Sequence, residues 1–153
     1  MQIRHKTPFA RAYTPLVSRS GAMADMLQDF GVLKLFPGDT WEQSSESDEQ
    51  CWLLTGGNAH ISWALHGGNS QAAKTSEADI VRPDLFDHSP WCLSVPAGTK
   101  VAIQAGKDGA EFCYSATDNP RRFAARPLIP QSLWRSINGS WEMKAAFGSP
   151  NEA

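Results

Sequence analysis

The feature that most constrains this chain is a series of short apolar runs, each closed within a few residues by glycine, proline, asparagine or aspartate. Between Ala59 and Leu65, apolar side chains occupy alternate positions, which is the period of a strand with one buried face. Lys107-Asp108-Gly109 has the composition of a hairpin turn. Strands are predicted at residues 31–36, 51–54, 59–65, 78–81, 91–95, 99–105 and 110–116. Short strands with frequent turns, and almost no helical period, predict an all-β sandwich or barrel.

Composition narrows the class of protein further. The chain has 153 residues, of which 41% are apolar and 20% charged, as in an ordinary soluble domain with a sizeable core. A net charge of −2 gives no basic surface for nucleic acid, and three cysteines do not make an even disulfide framework. The N-terminus lacks the apolar core of a signal peptide, and no run approaches the roughly 18 apolar residues of a membrane span. We therefore expect a cytoplasmic protein with no nucleic-acid or membrane partner.

Two segments combine glycine-centred turns with polar residues at regular spacing. The first runs from Pro37-Gly38 through Ser44, Glu46 and Glu49 to Gly56, and the second from Val95 to Val101. They resemble the two-part signature of the cupin superfamily, G-x5-H-x-H-x3,4-E-x6-G followed by P-x-G-x2-H, whose histidines and glutamate bind one metal ion. Here the histidine positions hold Ser44, Glu46 and Val101. Glu49 matches the glutamate position if the spacing before it is allowed to be one residue shorter than in the signature. The resemblance implies a cupin barrel, and we expect no metal cofactor because these ligands are missing.

Further stretches narrow the resemblance to one family. They are residues 30–38, residues 82–87 before 93–98, and residues 127–130. In this order they resemble the first half of the 5-deoxy-glucuronate isomerase family of bacterial myo-inositol catabolism, which shares its plan with uronate ketol-isomerases. The resemblance implies a single cupin jelly-roll β-barrel over residues 28–120, an N-terminal arm over 1–27 and a C-terminal extension over 121–153. That family holds its catalytic metal in a second cupin, so the resemblance covers the half without the metal.

Five side chains are candidates for a site. Glu49, at the cupin glutamate position, is the candidate catalytic residue if it points into the barrel, where a buried carboxylate needs a cationic partner. Arg82 is the natural partner, either in a structural ion pair or in binding a sugar acid through its planar fork. Glu46 and His60 are candidate ligand-binding residues, with a solvated position as the alternative for each. Trp41, beside the first segment, is the candidate to stack on a sugar ring.

Two functions remain open from the sequence. The first is a 5-deoxy-glucuronate isomerase-like single-domain cupin that binds a small sugar acid, or acts on it, in inositol catabolism. The second is a non-catalytic cupin that serves as a ligand-binding or assembly module. Trp134 and Trp141 lie beyond the barrel, where exposed aromatic side chains commonly mark a subunit contact. We therefore expect a homo-oligomer or a separate cupin partner.

Overall fold

Antiparallel strands make up almost all of the regular structure. The computed structural model describes residues 7–65, 75–121, 123–128, 134–137 and 140–143. The elements are β1 (Ala12–Val17), a 3₁₀ helix η1 (Gly21–Met26), β2 (Asp29–Leu35), β3 (Thr40–Ser44), β4 (Asp48–Leu65), β5 (Ser76–Arg82), β6 (Trp91–Val95), β7 (Thr99–Asp118), β8 (Arg126–Leu128), β9 (Trp134–Ile137) and β10 (Ser140–Met143). The main sheet has the order β1-β2-β7-β4-β6-β8, with β3 on β7 and β5 on β4, and β9 pairs with β10. This confirms the predicted all-β class.

β4 and β7 are the longest strands, with 18 and 20 residues, and they pair with each other from end to end. Each merges two of the predicted strands. The predicted hairpin at residues 107–109 is wrong, because residues 99–105 and 110–118 both pair with β4 and not with each other. At the register shift, a Cβ atom on Gly57 (φ 92°) would lie 2.2 Å from the carbonyl oxygen of Gly109. These glycines therefore allow a bulge in continuous strands, where the composition indicated a reversal.

The core consists of alternate side chains that point into the barrel. On β4, Gln50, Trp52 and Leu54 are buried, while the residues between them are half-exposed. The ring of Trp52 meets Phe112 of β7 edge-on, with centroids 6.3 Å apart. Burying one large apolar side chain contributes roughly 1.5–3 kcal/mol to the free energy of unfolding. Further fully buried apolar residues are Leu33, Ile61, Leu93, Val95, Val101 and Phe112.

Segments predicted as arms also contribute strands to the sheet. Residues 12–17, placed in the N-terminal arm, form β1 and pair with β2, and β8 of the predicted extension pairs with β6. The 3₁₀ helix η1 lies between β1 and β2 and ends before β2 begins. Among the described residues, no helix is long and apolar enough to cross a membrane.

Candidate functional site

A cavity of about 250 Å³ lies at the end of the barrel where β4 begins and β7 ends. We call it the barrel-mouth pocket. Its wall is formed by residues of β1, β2, β3, β4 and β7, so the barrel itself positions every side chain that faces it. The side chains that give the pocket its chemistry are Tyr13, Asp29, Trp41, Gln43, Asp48, Trp52 and Tyr114.

Four aromatic rings form one side of this pocket. Tyr114 lies 4.3 Å from Trp52 and 5.7 Å from Tyr13 between ring centroids, and Tyr13 lies 6.4 Å from Trp41. Burial raises the pKa of Tyr114 to about 12 and also raises the pKa of Tyr13. Both phenols therefore stay protonated at neutral pH and can donate hydrogen bonds.

A glycine makes room for the tyrosine at the pocket. A Cβ atom on Gly31 of β2 would lie 2.6 Å from the Tyr13 hydroxyl and 2.5 Å from the Thr14 carbonyl oxygen. Contacts that short force one strand away from the other. The absence of a side chain at Gly31 thus lets β1 bring the Tyr13 ring against Tyr114.

An ion cluster stands at the rim of the pocket, and we call it the rim cluster: Arg19, Asp29 and Asp48. Arg19 donates from Nη1 and Nη2 to the two carboxylate oxygens of Asp48 at 2.7 and 2.9 Å, and from Nε to Asp29 at 3.0 Å. Ser45 Oγ also donates to Asp48, at 2.9 Å. The hydrogen bonds from Arg19 lower the pKa of Asp48, so this carboxylate stays ionised well below neutral pH.

Three buried polar atoms have no hydrogen-bond partner among the described residues: Trp52 Nε1, Gln50 Oε1 and Thr99 Oγ1. Trp52 lines the pocket and is only 1% exposed, so its ring forms part of the wall while its N–H group is buried. Gln50 Nε2 donates to the Thr99 carbonyl at 3.1 Å, and neither of these two residues lines the pocket. A buried polar group without a partner costs roughly 1–3 kcal/mol. The pocket therefore has aromatic, donor and acceptor surfaces together.

Comparison with known protein families decides the classification. The KduI/IolB family model matches residues 3–144. This chain belongs to the KduI/IolB family. The resemblance to the 5-deoxy-glucuronate isomerase family that the sequence predicted is therefore confirmed. A comparison with curated proteins found no match.

Solved structures show the fold of this KduI/IolB member. An IolB-like protein from Salmonella typhimurium superposes with a TM-score of 0.64 at 16% identity, over 86% of this chain and 48% of that one. An oxalate decarboxylase from Bacillus subtilis gives 0.53 at 16% identity, over 72% and 26% of the two chains. A cupin protein from Bacteroides fragilis gives 0.50 at 15% identity, over 81% and 92%. The chain spans about half the length of the IolB-like protein, and the neighbours confirm the cupin barrel.

The two-part cupin signature matches the sequence better when Gln50, and not Glu49, occupies its glutamate position. Burial alternates along β4, so Gln50 faces inwards and Glu49 does not; the carboxylate of Glu49 accepts a hydrogen bond from Asn119 Nδ2 at 2.6 Å. Glu49 therefore does not meet the condition on which its catalytic role depended, namely a side chain that points into the barrel. With Gln50 at the glutamate position, three residues separate it from Glu46 and six separate it from Gly57, as in the signature itself. This spacing could have identified Gln50 from the sequence, but Glu49 was preferred because the signature has an acidic residue there.

The predicted Glu49–Arg82 ion pair is also wrong. Arg82 is 6% exposed and donates to the carbonyl oxygens of Leu54 and Leu85 at 2.8 Å each and of His88 at 3.2 Å. Its guanidinium group therefore holds the loop after β5 against β4. A bound sugar acid cannot share these donors without displacing backbone contacts.

Two other candidates lie away from the pocket, and one lines it. His60 is 43% exposed on β4, with Nδ1 2.8 Å from the carboxylate of Asp79, and Glu46 is exposed before β4. Only Trp41 among the five candidates reaches the barrel-mouth pocket. The sequence reasoning missed Tyr13, Tyr114 and the rim cluster, whose members come together only in the folded barrel.

The donor set does not fit a transition metal. Among the signature positions, Ser44 and Glu46 are exposed, and the distal position is the fully buried Val101. Nowhere in the described ranges do three or more histidine, cysteine or acidic side chains converge as metal ligands. A transition-metal site needs imidazole, thiolate or carboxylate groups from several elements around one point. The expectation that this chain carries no metal stays a prediction.

Proposed function

We propose that this chain acts in cytoplasmic carbohydrate catabolism, of the kind that degrades inositol, as a 5-deoxy-glucuronate isomerase-like cupin that binds a small carbohydrate. The observation that carries the proposal is the barrel-mouth pocket, in which four aromatic side chains lie beside the carboxylates of Asp29 and Asp48. Membership of the KduI/IolB family supports carbohydrate as the ligand class.

The pocket has the groups that a carbohydrate ring requires. Aromatic faces pack against the C–H groups of a sugar, and Trp41 is placed on the pocket wall to do so. Hydroxyl groups pair with fixed polar groups, which here include the Gln43 amide, the Asp48 carboxylate and the Tyr114 hydroxyl. A cavity of about 250 Å³ is of the size of one small ring.

Binding is better supported than proton transfer within this chain. Aldose–ketose isomerisation requires a base whose pKa lies near the working pH, together with a group that stabilises the ene-diolate. Arg19 lowers the pKa of Asp48, and burial keeps the Tyr114 phenol protonated. Neither is therefore a strong base at neutral pH. Glu49 loses the inward geometry on which its catalytic role rested.

Ligand binding and turnover can be tested together. We expect small carbohydrates, with D-glucose as the first probe, to give saturable binding by isothermal titration, and Trp41→Ala to weaken it severalfold. Trp63→Ala is the matched control, because Trp63 lies on β4 outside the pocket wall. Conversion of 5-deoxy-glucuronate, followed by NMR with and without added manganese, would favour an isomerase. If no small carbohydrate binds, or if the two variants lose affinity equally, the proposal fails.

An assembly role is the second candidate. Val81, Leu85 and Phe86 are 64%, 48% and 91% exposed, and they lie close together in the chain at the end of β5 and in the following loop. Exposed apolar side chains of this density favour a contact with a second copy or with a cupin partner. The contact expected through Trp134 and Trp141 also stays a prediction, because only the backbone pairing of β9 and β10 is described. We expect truncation after residue 130 to reduce the number of chains per particle, as measured by light scattering; an unchanged number of chains would contradict this role.

A further inference from the structure

We propose that the barrel-mouth pocket selects an uncharged, hydroxyl-rich ring and discriminates against sugar acids. This inference rests on the proposed function, because it concerns which carbohydrate the same pocket accepts. It departs from the sugar acid expected from the sequence. The observation behind it is the charge at the pocket, together with the way in which the nearest guanidinium group is already paired.

The charge at the pocket is negative. Asp29 and Asp48 both line the cavity, and Arg19 is the cation that pairs with them. Two carboxylates against one guanidinium leave a formal charge of −1. Within the described part of the chain, no lysine, arginine or histidine lines the pocket wall. A ligand carboxylate therefore meets charge of its own sign at close range.

Arg19 is already engaged by two carboxylates. Its Nε, Nη1 and Nη2 atoms all donate to Asp29 or Asp48, at distances between 2.7 and 3.0 Å. A ligand carboxylate would therefore compete with Asp29 and Asp48 for the charge of this guanidinium group. A carboxylate that enters without such a partner loses its water shell and gains no cation in return.

The remaining groups suit hydroxyls of a neutral ring. Tyr13 and Tyr114 line the pocket, and their phenols remain protonated donors because burial raises their pKa. The carboxylates of the rim cluster accept hydrogen bonds from ligand hydroxyls. The donors and acceptors of the pocket can therefore pair with the hydroxyl groups of a ligand that carries no net charge.

The test compares D-glucose with D-glucuronate, which differ only in the group at the sixth carbon. We expect D-glucose to bind at least about tenfold more tightly at neutral pH, as a like charge in a half-buried site requires. Asp29→Asn removes one negative charge while its side-chain oxygen can still accept from the Arg19 backbone N–H. This variant should bring the two affinities to within about threefold of each other. Asp108→Asn is the matched control, because Asp108 is exposed at the β7 bulge and does not line the pocket.

Each outcome has a defined meaning when affinities are measured by isothermal titration and folding by circular dichroism. Preference for D-glucose, reduced in Asp29→Asn and unchanged in Asp108→Asn, supports the inference. Equal or tighter binding of D-glucuronate overturns it and leaves carbohydrate binding intact. Binding of neither sugar overturns the proposed function and the inference with it. If Asp108→Asn reduces the preference as much as Asp29→Asn, the selectivity comes from overall charge and the inference fails.

Discussion

Replacing Arg19 with leucine should destabilise the barrel by roughly 3 kcal/mol at neutral pH, because the substitution removes three charge-assisted hydrogen bonds and leaves two carboxylates without a cation. Arg19 joins the segment after β1 to the starts of β2 and β4, so these contacts fasten three parts of the pocket rim. Its side chain is 29% exposed, which is why we place the loss at the lower end of the range for a buried ion pair. The loss should lower Tm by about 10 °C for a chain of this length.

The dependence on pH provides an independent check of the Arg19 substitution. Since Arg19 lowers the pKa of Asp48, the stabilisation is present above the unfolded pKa of about 3.9 and is lost as the pH falls through the folded pKa. The difference between the native chain and Arg19→Leu should therefore shrink below about pH 4. Urea denaturation followed by circular dichroism from pH 7 to pH 3 measures this difference.

Glu42→Gln is the matched control for the rim cluster. Glu42 pairs with Lys100 at 2.9 Å, but the two side chains are 62% and 42% exposed, and such pairs contribute roughly 0.5 kcal/mol or less. A loss under about 1 kcal/mol in Arg19→Leu would refute the assignment of Arg19 as the residue that fastens the rim. A loss that stays constant from pH 7 to pH 3 would refute the electrostatic reasoning.

Three further substitutions test separate parts of the structure. Gly31→Ala should cost about 1–3 kcal/mol and weaken carbohydrate binding, because the new methyl group meets Tyr13; an unchanged urea midpoint would argue against this close approach. Arg82→Lys should cost about 1–3 kcal/mol in the same assay, since an ammonium group cannot reach three carbonyl oxygens with the geometry of the fork; native stability would contradict that role. Glu49→Gln should leave carbohydrate affinity within about twofold, because Glu49 faces away from the barrel interior; lost binding in titrations would restore Glu49 as a site residue.

Local patterns in the sequence predicted the fold class because strands and turns have local signatures. The alternation of apolar residues between Ala59 and Leu65 predicted a strand that is part of β4. The segment from Val95 to Val101 predicted the turn between β6 and β7. Residues 107–109 have hairpin composition, yet whether glycine makes a reversal or a bulge depends on which strand pairs alongside. That choice is a tertiary one and leaves little trace in the local sequence.

The site was harder to predict than the fold. A shift of one residue along β4 exchanges Glu49 for Gln50 at the inward position, since side chains alternate between the two faces. The rim cluster joins Arg19 to Asp48, which is 29 residues away, and no spacing motif announces such a contact. Trp41 was found because it stands beside the signature segment.

The most direct test of carbohydrate binding in the barrel-mouth pocket is the indole N–H spectrum of ¹⁵N-labelled protein during titration with D-glucose. Signals can be assigned from Trp41→Phe, Trp52→Phe and Trp91→Phe. We expect a saturable shift of the Trp52 signal, because the Trp52 ring lines the pocket, and a shift of the Trp41 signal at the same midpoint. Trp91 is buried outside the pocket wall and should stay unchanged. A Trp52 signal that does not move at saturating ligand, or that moves no more than Trp91, would contradict the account.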